Sequence, residues 1–487
     1  MKFTFKNLGK LDEAEIEVKD LTIVCGENNT GKTYLLYAIY GFWAYLLRSD
    51  IPLLSADVKT SLHTQKKIEL NIEEVFSIEK INSFLGKVAK EYALKQIDRD
   101  FVSKPKFFEN LKMDVELSRN DYTQVINSLK KELHSLDWTR SSSEGLIHFD
   151  FEIKDDILFI EQRKSEINTS LLFIILNNKI KENIFQSFYK NNFFSSSERT
   201  GIVMFKDELD FARRRLLDIA SEGKRLNHFE IFERILVDYK DTYSRPIKNE
   251  AEFIRNLLAY EKLKKKDGIK ESEQSLLNMK QLEDIIGGVL ELSSDGTIYF
   301  KPNKNKSLRL TMDQVSSSIR SILSLYFYIR DQGHKENQIL MIDEPEMNLH
   351  PKNQRAMARF LASLVNQGIK VMVSTHSDYL VRELSHLTAL HQYKEKDSVK
   401  AYLADEKNPY SEEVLISPDQ VGLYYTTEDL VLKKGNKTKS KGIVLKRVEP
   451  NAYGAFDVDS FDKTIIEQNE TGTDIVNLVT PFVEEEQ

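Results

Sequence analysis

The string Gly26-Glu27-Asn28-Asn29-Thr30-Gly31-Lys32-Thr33 restricts this chain more than any other stretch of its 487 residues. It matches G-x-x-x-x-G-K-[ST]. It also lies where that pattern works, after a compact apolar run, Asp20 to Cys25, and before a helical one, Lys32 to about Leu47. An apolar run that stops abruptly at a glycine reads as a buried parallel strand, which requires an α/β fold. The two glycines let the backbone curl so that successive N–H groups point inward, and the helix start adds positive potential there. Such a cradle suits a nucleoside triphosphate. Gly26, Asn28, Asn29, Thr30, Gly31, Lys32 and Thr33 are therefore expected to bind ATP. Lys32 would reach the β- and γ-phosphates, and the Thr33 hydroxyl would hold Mg²⁺.

A second apolar run, Ile339-Leu340-Met341-Ile342, ends in Asp343-Glu344 and continues as Pro345-Glu346-Met347-Asn348-Leu349-His350-Pro351. A strand of this kind would bring Asp343 beside the P-loop as a Mg²⁺ ligand. Glu344 would then serve as general base for the attacking water. A third such run, Ile369 to Thr375, closes with Ser374-Thr375-His376-Ser377, which puts His376 where it can meet the γ-phosphate or its water. Lys352 to Val365 reads as a helix between the two strands.

Composition excludes several classes. Basic residues number 69 against 76 acidic ones, a net charge of -7, which rules out a whole-surface nucleic-acid binder but leaves room for a local basic groove. The single cysteine excludes an intramolecular disulfide and points to the cytoplasm. Met1 to Lys19 is charged and lacks the apolar centre of a secretion signal. The longest apolar stretch, Leu35 to Leu47, is shorter than the roughly twenty residues of a membrane span, so no membrane contact is expected.

The pattern divides the chain. Residues 1–54 read as the first part of an ATPase lobe, 55–190 as a mainly helical insertion, and 191–205 as a segment linking back to the lobe. Residues 206–284 read as a helical insertion, 285–400 as the second part of the lobe, and 401–487 as a mixed C-terminal region. Helical spacing is clearest from Ile81 to Lys104 and Tyr122 to Leu136, and on a face marked by Leu209, Ala212, Leu216 and Ile219. Ile147, Phe149, Phe151 and Ile153 alternate like a strand before an Asp155-Asp156 turn. Gly442 to Leu445 reads as a strand, and residues 460–470 as a short amphipathic helix.

The order of P-loop, long insertion, Asp343 to Pro351 and Ser374 to Ser377 resembles the ABC-type ATPases related to RecF, the SMC-like repair ATPases and the overcoming-lysogenization-defect nucleases. Matching stretches cover about residues 1–48 and 285–390. The resemblance implies an α/β, ABC-type two-lobed P-loop ATPase head with large helical insertions. It further implies a head-to-tail homodimer, or a higher oligomer of dimers, in which a signature serine completes the partner's nucleotide site. Val315 to Arg320 matches that signature, with Ser316 in the role. Ser318 stands where these families commonly carry a glycine, which implies slow hydrolysis. Arg199, within Ser196-Ser197-Glu198-Arg199-Thr200-Gly201, matches the segment joining nucleotide to second lobe, and is implied to sense the γ-phosphate or to hold the insertion. The lysogenization-defect enzymes carry a nuclease domain opening on a Glu-Gly pair after the third strand. No such pair follows residue 390 here, and no HNH arrangement is present. The chain thus resembles the PtuA-type ATPase subunits of Septu anti-phage defence, which implies ATPase control of a separately encoded, HNH-type nuclease. The alternative implied is a RecF- or SMC-like repair clamp that contacts DNA directly; a nucleotide-binding scaffold without hydrolysis is a third.

Other features read as surface chemistry. Asp150-Phe151-Glu152-Ile153-Lys154 fits the acidic-x-Glu-x-Lys string of metal-dependent nucleases, yet alternating charges on the wet face of a strand give the same string. Lys433, Lys434, Lys437, Lys439 and Lys441 suggest a solvated hairpin tip, and Lys262, Lys264, Lys265 and Lys266 a charged helix. His386 and His391 have no cysteine partners for a zinc site.

A composite site has a measurable signature. Ser316→Arg would put a bulky cation against the partner's nucleotide and should abolish turnover, as should Lys32→Ala. Mixed dimers of the two carry both lesions in one site and neither in the other, so partial ATPase activity should return on mixing. Mixed dimers without activity would contradict the head-to-tail arrangement.

Overall fold

The computed structural model describes residues 1–142, 145–162, 169–189, 191–205, 243–268, 272–332, 338–405, 407–431, 438–458 and 466–475. The helical face expected at Leu209 to Ile219 and the lysines at 433, 434 and 437 lie outside the described residues.

The chain opens as an antiparallel hairpin, β1 (Lys2–Leu8) and β2 (Leu11–Glu17), turned by Gly9 at a positive φ of 59°. β3 (Leu21–Gly26) is buried along its whole length and delivers the P-loop to the helix Lys32–Leu46. Burial on both faces explains its continuous apolar character. Leu21, Ile23 and Cys25 enter one core and Val24 the other. The Cys25 thiol is pushed up to about 12 by this burial, so it packs as a small apolar group rather than a nucleophile.

The segment 55–190, expected as mainly helical, contains strands as well as helices. β4 (Lys67–Asn71) precedes the helix Ile78–Lys95, and β5 (Lys112–Glu116) pairs back onto β1. Helix Arg119–Leu133 begins with a capping box between Ser118 and Asp121. β6 (Ser135–Ser142), β7 (Gly145–Lys154) and β8 (Ile157–Gln162) then form an antiparallel sheet with β4, in the order β4-β8-β7-β6. Its buried face carries Ile147, Phe149, Phe151, Leu158 and Ile160. Alternation is weak where the strands are short and their outer face is charged, which is why only β7 stands out in the sequence. The Asp155-Asp156 turn follows β7 with both residues at positive φ, as short polar residues tolerate.

Helix Thr169–Tyr189 leads to β9 (Asn191–Ser195), and a small sheet follows, β10 (Gly288–Leu292), β11 (Ile298–Pro302) and β12 (Leu310–Thr311). After helix Ser317–Gln332 come β13 (Gln338–Asp343), helix Pro351–Asn366, β14 (Lys370–Thr375) and helix Asp378–Gln392. The region read as mixed supplies β15 (Val421–Val431) and β16 (Ser440–Val448).

Among the described residues, these strands build a nine-stranded sheet in the order β5-β1-β2-β16-β15-β3-β14-β13-β9. β15, β3, β14, β13 and β9 run parallel. The P-loop strand therefore sits between the strand ending in Thr375 and a strand from the far C-terminal region. Both faces are covered. Phe3, Phe42 and Trp43 pack with the insertion's Phe84, Tyr92 and Phe185 on one side, and Leu340, Ile342, Leu323 and Leu361 pack on the other. This is an α/β fold centred on the P-loop strand, with the insertions built onto it. Among the described residues no helix is long and apolar enough to cross a membrane.

Gly26 shows how tightly β15 is set against the P-loop. Its φ is 133°, and a Cβ there would lie 2.2 Å from Thr426 Oγ1 and 3.1 Å from Thr426 backbone atoms. Gly26→Ala should cost roughly 2–3 kcal/mol from backbone strain and overpacking together, read as a lowered urea midpoint. Adding Thr426→Ala should recover only part, because the backbone collision remains. An unchanged midpoint in Gly26→Ala would refute this packing.

Candidate functional site

A cleft of about 490 Å³ opens at the C-terminal ends of β3, β13 and β14, the position at which open α/β sheets present their loops to ligands. Asn28, Asn29, Thr30, Gly31, Lys32 and Thr33 line one side, and Asp343, Glu344, Ser374 and His376 another. Gly9 and Lys10 of the β1–β2 turn, with Tyr34 and Phe107, close the far end. Gly31 takes the left-handed conformation at the start of helix Lys32–Leu46, and no side chain caps that helix. Its first N–H groups are thereby left to whatever anion occupies the loop.

Lys32 is buried, and its ammonium donates to the carbonyls of Gly26, at 3.0 Å, and Glu27, at 2.6 Å. It also lies 3.4 Å from His376 Nδ1. Burial lowers its pKa to about 8, against the pull of nearby Glu344, Asp343 and Glu346. The Thr33 hydroxyl donates to both Asp343 carboxylate oxygens, at 3.2 and 3.0 Å. Asp343 is fully buried, which raises its pKa, while hydrogen bonds from Ser374 and Thr33 oppose the rise. A buried carboxylate paired with a hydroxyl is an oxygen-only donor set, suited to a hard cation such as Mg²⁺. The residues present fit that ion.

Glu344 is half-buried and lies 3.4 Å from His376 Nε2. Its pKa is lowered, chiefly by the hydrogen bond from His376 and then by the charges of His376, Arg199 and Lys32. The next acid, Glu346, behaves oppositely. Burial raises its pKa, and its Oε1 accepts from Thr375 Oγ1 and His376 N, each at 2.7 Å. Glu346 thus holds the backbone that presents His376. Glu344 and Asn348 both adopt positive φ, 53° and 63°, costly for residues other than glycine and concentrated at functional turns.

Two expected site residues lie elsewhere. Arg199 does not face the cleft. It is 1% exposed and donates to four carbonyls, those of Ser321 (2.8 Å), Ser196 (2.8 Å), Asp343 (2.7 Å) and Glu344 (2.6 Å). A guanidinium so engaged positions the Asp343–Glu344 backbone. Ser316 is exposed just before helix Ser317–Gln332, with its hydroxyl 2.7 Å from that of Ser318, and does not line this cleft.

Other participants come from distant sequence. Thr426 of β15 shares a 2.7 Å hydrogen bond with Thr30, 396 residues away, and nothing local in the sequence marks it. Glu250, wholly buried, accepts from Ser195 (3.1 Å), Ser324 (2.6 Å), and both N (2.8 Å) and Oγ (2.7 Å) of Ser196. The signal available for Glu346 was its place in the Asp343-to-Pro351 string; Glu250 had none.

A family model described as AAA ATPase domain matches residues 1–381. Among solved structures, the chain is similar to an SMC head bound to the C-winged helix domain of ScpA, with 12% identity, a TM-score of 0.32, and coverage of 92% of this chain and 97% of that one. It is also similar to an SMC head with an extended coiled coil bound to the C-terminal domain of ScpA, derived from Pyrococcus furiosus, at 14% identity and TM-score 0.33, covering 96% and 98%. The SMC head domain from Thermotoga maritima matches at 12% identity and TM-score 0.25, covering 92% and 98%. No curated protein matches. The sheet order and the P-loop, not these scores, carry the fold.

The lowered Lys32 pKa gives a pH signature. Below about 8 the ammonium is charged and attracts phosphate; above it the free protein must take up a proton to bind. ATP affinity should therefore fall by up to about tenfold per pH unit above that point, with proton uptake visible by calorimetry in buffers of different ionisation enthalpy. Lys32→Ala should bind weakly and lose the uptake. A wild-type affinity that is flat to high pH would show that Lys32 does not titrate on binding.

Proposed function

The chain belongs to the AAA ATPase domain family, and from that premise we propose that it binds ATP with Mg²⁺ in this cleft and hydrolyses it. The observation that carries the reading is the convergence of Glu344, His376 and Lys32 at the end of the P-loop strand. Lys32 and the N–H groups from Asn28 to Thr33 would bind the phosphates. Thr33 and Asp343 would hold Mg²⁺, which when bound supplies neutralisation of phosphate charge. Glu344, its pKa lowered by His376, would accept a proton from water. His376 orients Glu344, and Glu346 orients His376. Arg199 acts as a positioning residue behind both acids.

Ser316 has no part in its own cleft, and its exposure beside a long helix supports a role against a second copy of this chain. The finer reading is a regulatory ATPase of an anti-phage defence complex, similar to PtuA of Septu, acting on a separately encoded HNH-type nuclease. Its support is the motif order from Gly26 to Ser377. A repair clamp that contacts DNA itself is the rival, and ATPase stimulation of the isolated chain by DNA would favour it.

Glu344→Gln should leave ATP binding intact and slow phosphate release by roughly 10²–10⁴-fold, because an amide cannot take the proton. Wild-type turnover in that variant would remove Glu344 as the base. Co-purification with the product of the neighbouring gene should give a nuclease whose cutting changes with ATP and is insensitive to it in Lys32→Ala. A neighbour that neither binds nor cuts would overturn the regulatory reading while leaving the ATPase reading standing.

A further inference from the structure

We propose that the β6–β7 hairpin carries a binding site for a divalent transition metal, built from Asp137, His148 and Asp150 and separate from the nucleotide cleft. The antiparallel register sets Asp137 opposite Asp150 and Thr139 opposite His148. Side chains two apart share a face, so all four project from one side of the hairpin. One ligand atom from each of Asp137, His148 and Asp150 lies within 4.8 Å of the others. His148 Nε2 is 3.3 Å from Asp137 Oδ1 and 3.3 Å from Asp150 Oδ1.

The second ring nitrogen identifies the chemistry. His148 Nδ1 is 2.8 Å from Thr139 Oγ1. In the tautomer whose Nδ1–H donates to that hydroxyl, the Nε2 lone pair is directed toward the two carboxylates, so that all three could close on one cation. Metal-bound histidines are commonly oriented in this way by a partner on the other nitrogen. One imidazole and two carboxylates favour Zn²⁺, Mn²⁺ or Co²⁺ over Mg²⁺, which prefers oxygen alone. Three protein ligands leave coordination positions for water.

The opposite side of the hairpin holds this trio in place. Trp138 stacks on Phe149 with ring centroids 6.4 Å apart, and Ile147, Phe149 and Phe151 are buried. His148 and Asp150 are 23% exposed, against 66% for Asp137, so two of the ligands are sheltered and one closes from the solvent side. Glu161 lies across from Asp150 on β8, adding negative charge. Lys154 pairs with Glu152 at 2.5 Å. The acidic string Asp150 to Lys154 thus acquires partners from β6 that the linear sequence does not display.

The test is a Co²⁺ titration of the nucleotide-free full chain, followed by its visible ligand-field bands and by competition with Zn²⁺. Saturable binding is expected, abolished by His148→Gln and by Asp150→Asn, and weakened about tenfold to a hundredfold by Thr139→Val, which removes only the orienting hydroxyl. Asp343→Asn, in the Mg²⁺ site, should leave these bands in place. Bands lost in Asp343→Asn but kept in His148→Gln would assign the metal to the nucleotide cleft and overturn the proposal. Selectively labelled histidine gives a readout on the unmutated protein. A change in the nitrogen-15 shift of His148 Nε2 on adding Zn²⁺ supports the site, and a shift unchanged in excess Zn²⁺ refutes it.

Discussion

The guanidinium of Arg199 is the contact on which the cleft end of this fold depends. Wholly buried, it donates to main-chain carbonyls of Ser196, Ser321, Asp343 and Glu344. It therefore joins the end of β9, the helix Ser317–Gln332 and the end of β13. Taking a cation out of water costs several kcal/mol, and here hydrogen bonds and the neighbouring carboxylates of Glu250, Asp343 and Glu346 offset that cost. The same grip explains the backbone of Glu344. A positive φ in a glutamate persists only when its surroundings over-determine it. Its carbonyl is held by Arg199 and its N–H by Ser374 O at 3.1 Å.

Three acids within four residues serve distinct purposes because their surroundings differ. Burial raises the pKa of Asp343 and of Glu346, whereas His376 lowers that of Glu344. Separation of this kind assigns acid–base roles within one site. Asp343 is buried against Thr33 and Ser374, Glu346 accepts hydrogen bonds from Thr375 Oγ1 and His376 N, and Glu344 is the most exposed of the three. The chemistry proposed for Glu344 would thus rest on structure at the other two.

The insertion at 55–190 continues the core of the head. Phe3 of β1 packs at the edge of Phe42 and Trp43 in the P-loop helix, and Phe42 meets Tyr92 of the insertion. The hairpin β6–β7 is anchored to the same cluster. A binding event on that hairpin would act on a surface rigidly packed against the head, as precise binding constellations require.

What the sequence determined by itself was local chemistry. The P-loop, the Asp343–Glu344 pair and His376 are written in short strings, each bounded by an apolar strand, because their function needs particular residues at adjacent positions. The helix Lys32–Leu46 and strands β3, β13 and β14 were legible for the same reason: a strand buried on both faces is uniformly apolar over a few residues. Tertiary structure decided what depends on pairing across long separations. No local pattern says that β15 and β16 enter the sheet beside β3, that Thr426 meets Thr30, or that Glu250 collects three serines from two other elements. Neither does any pattern tell an arginine that touches phosphate from one that holds carbonyls behind the site, as Arg199 does. Asp150 looks like a solvated charge until β6 lays Asp137 and Thr139 beside it. Register between strands and the desolvation of a side chain are set by the whole fold, and those two quantities decide which charged residues act and which only support.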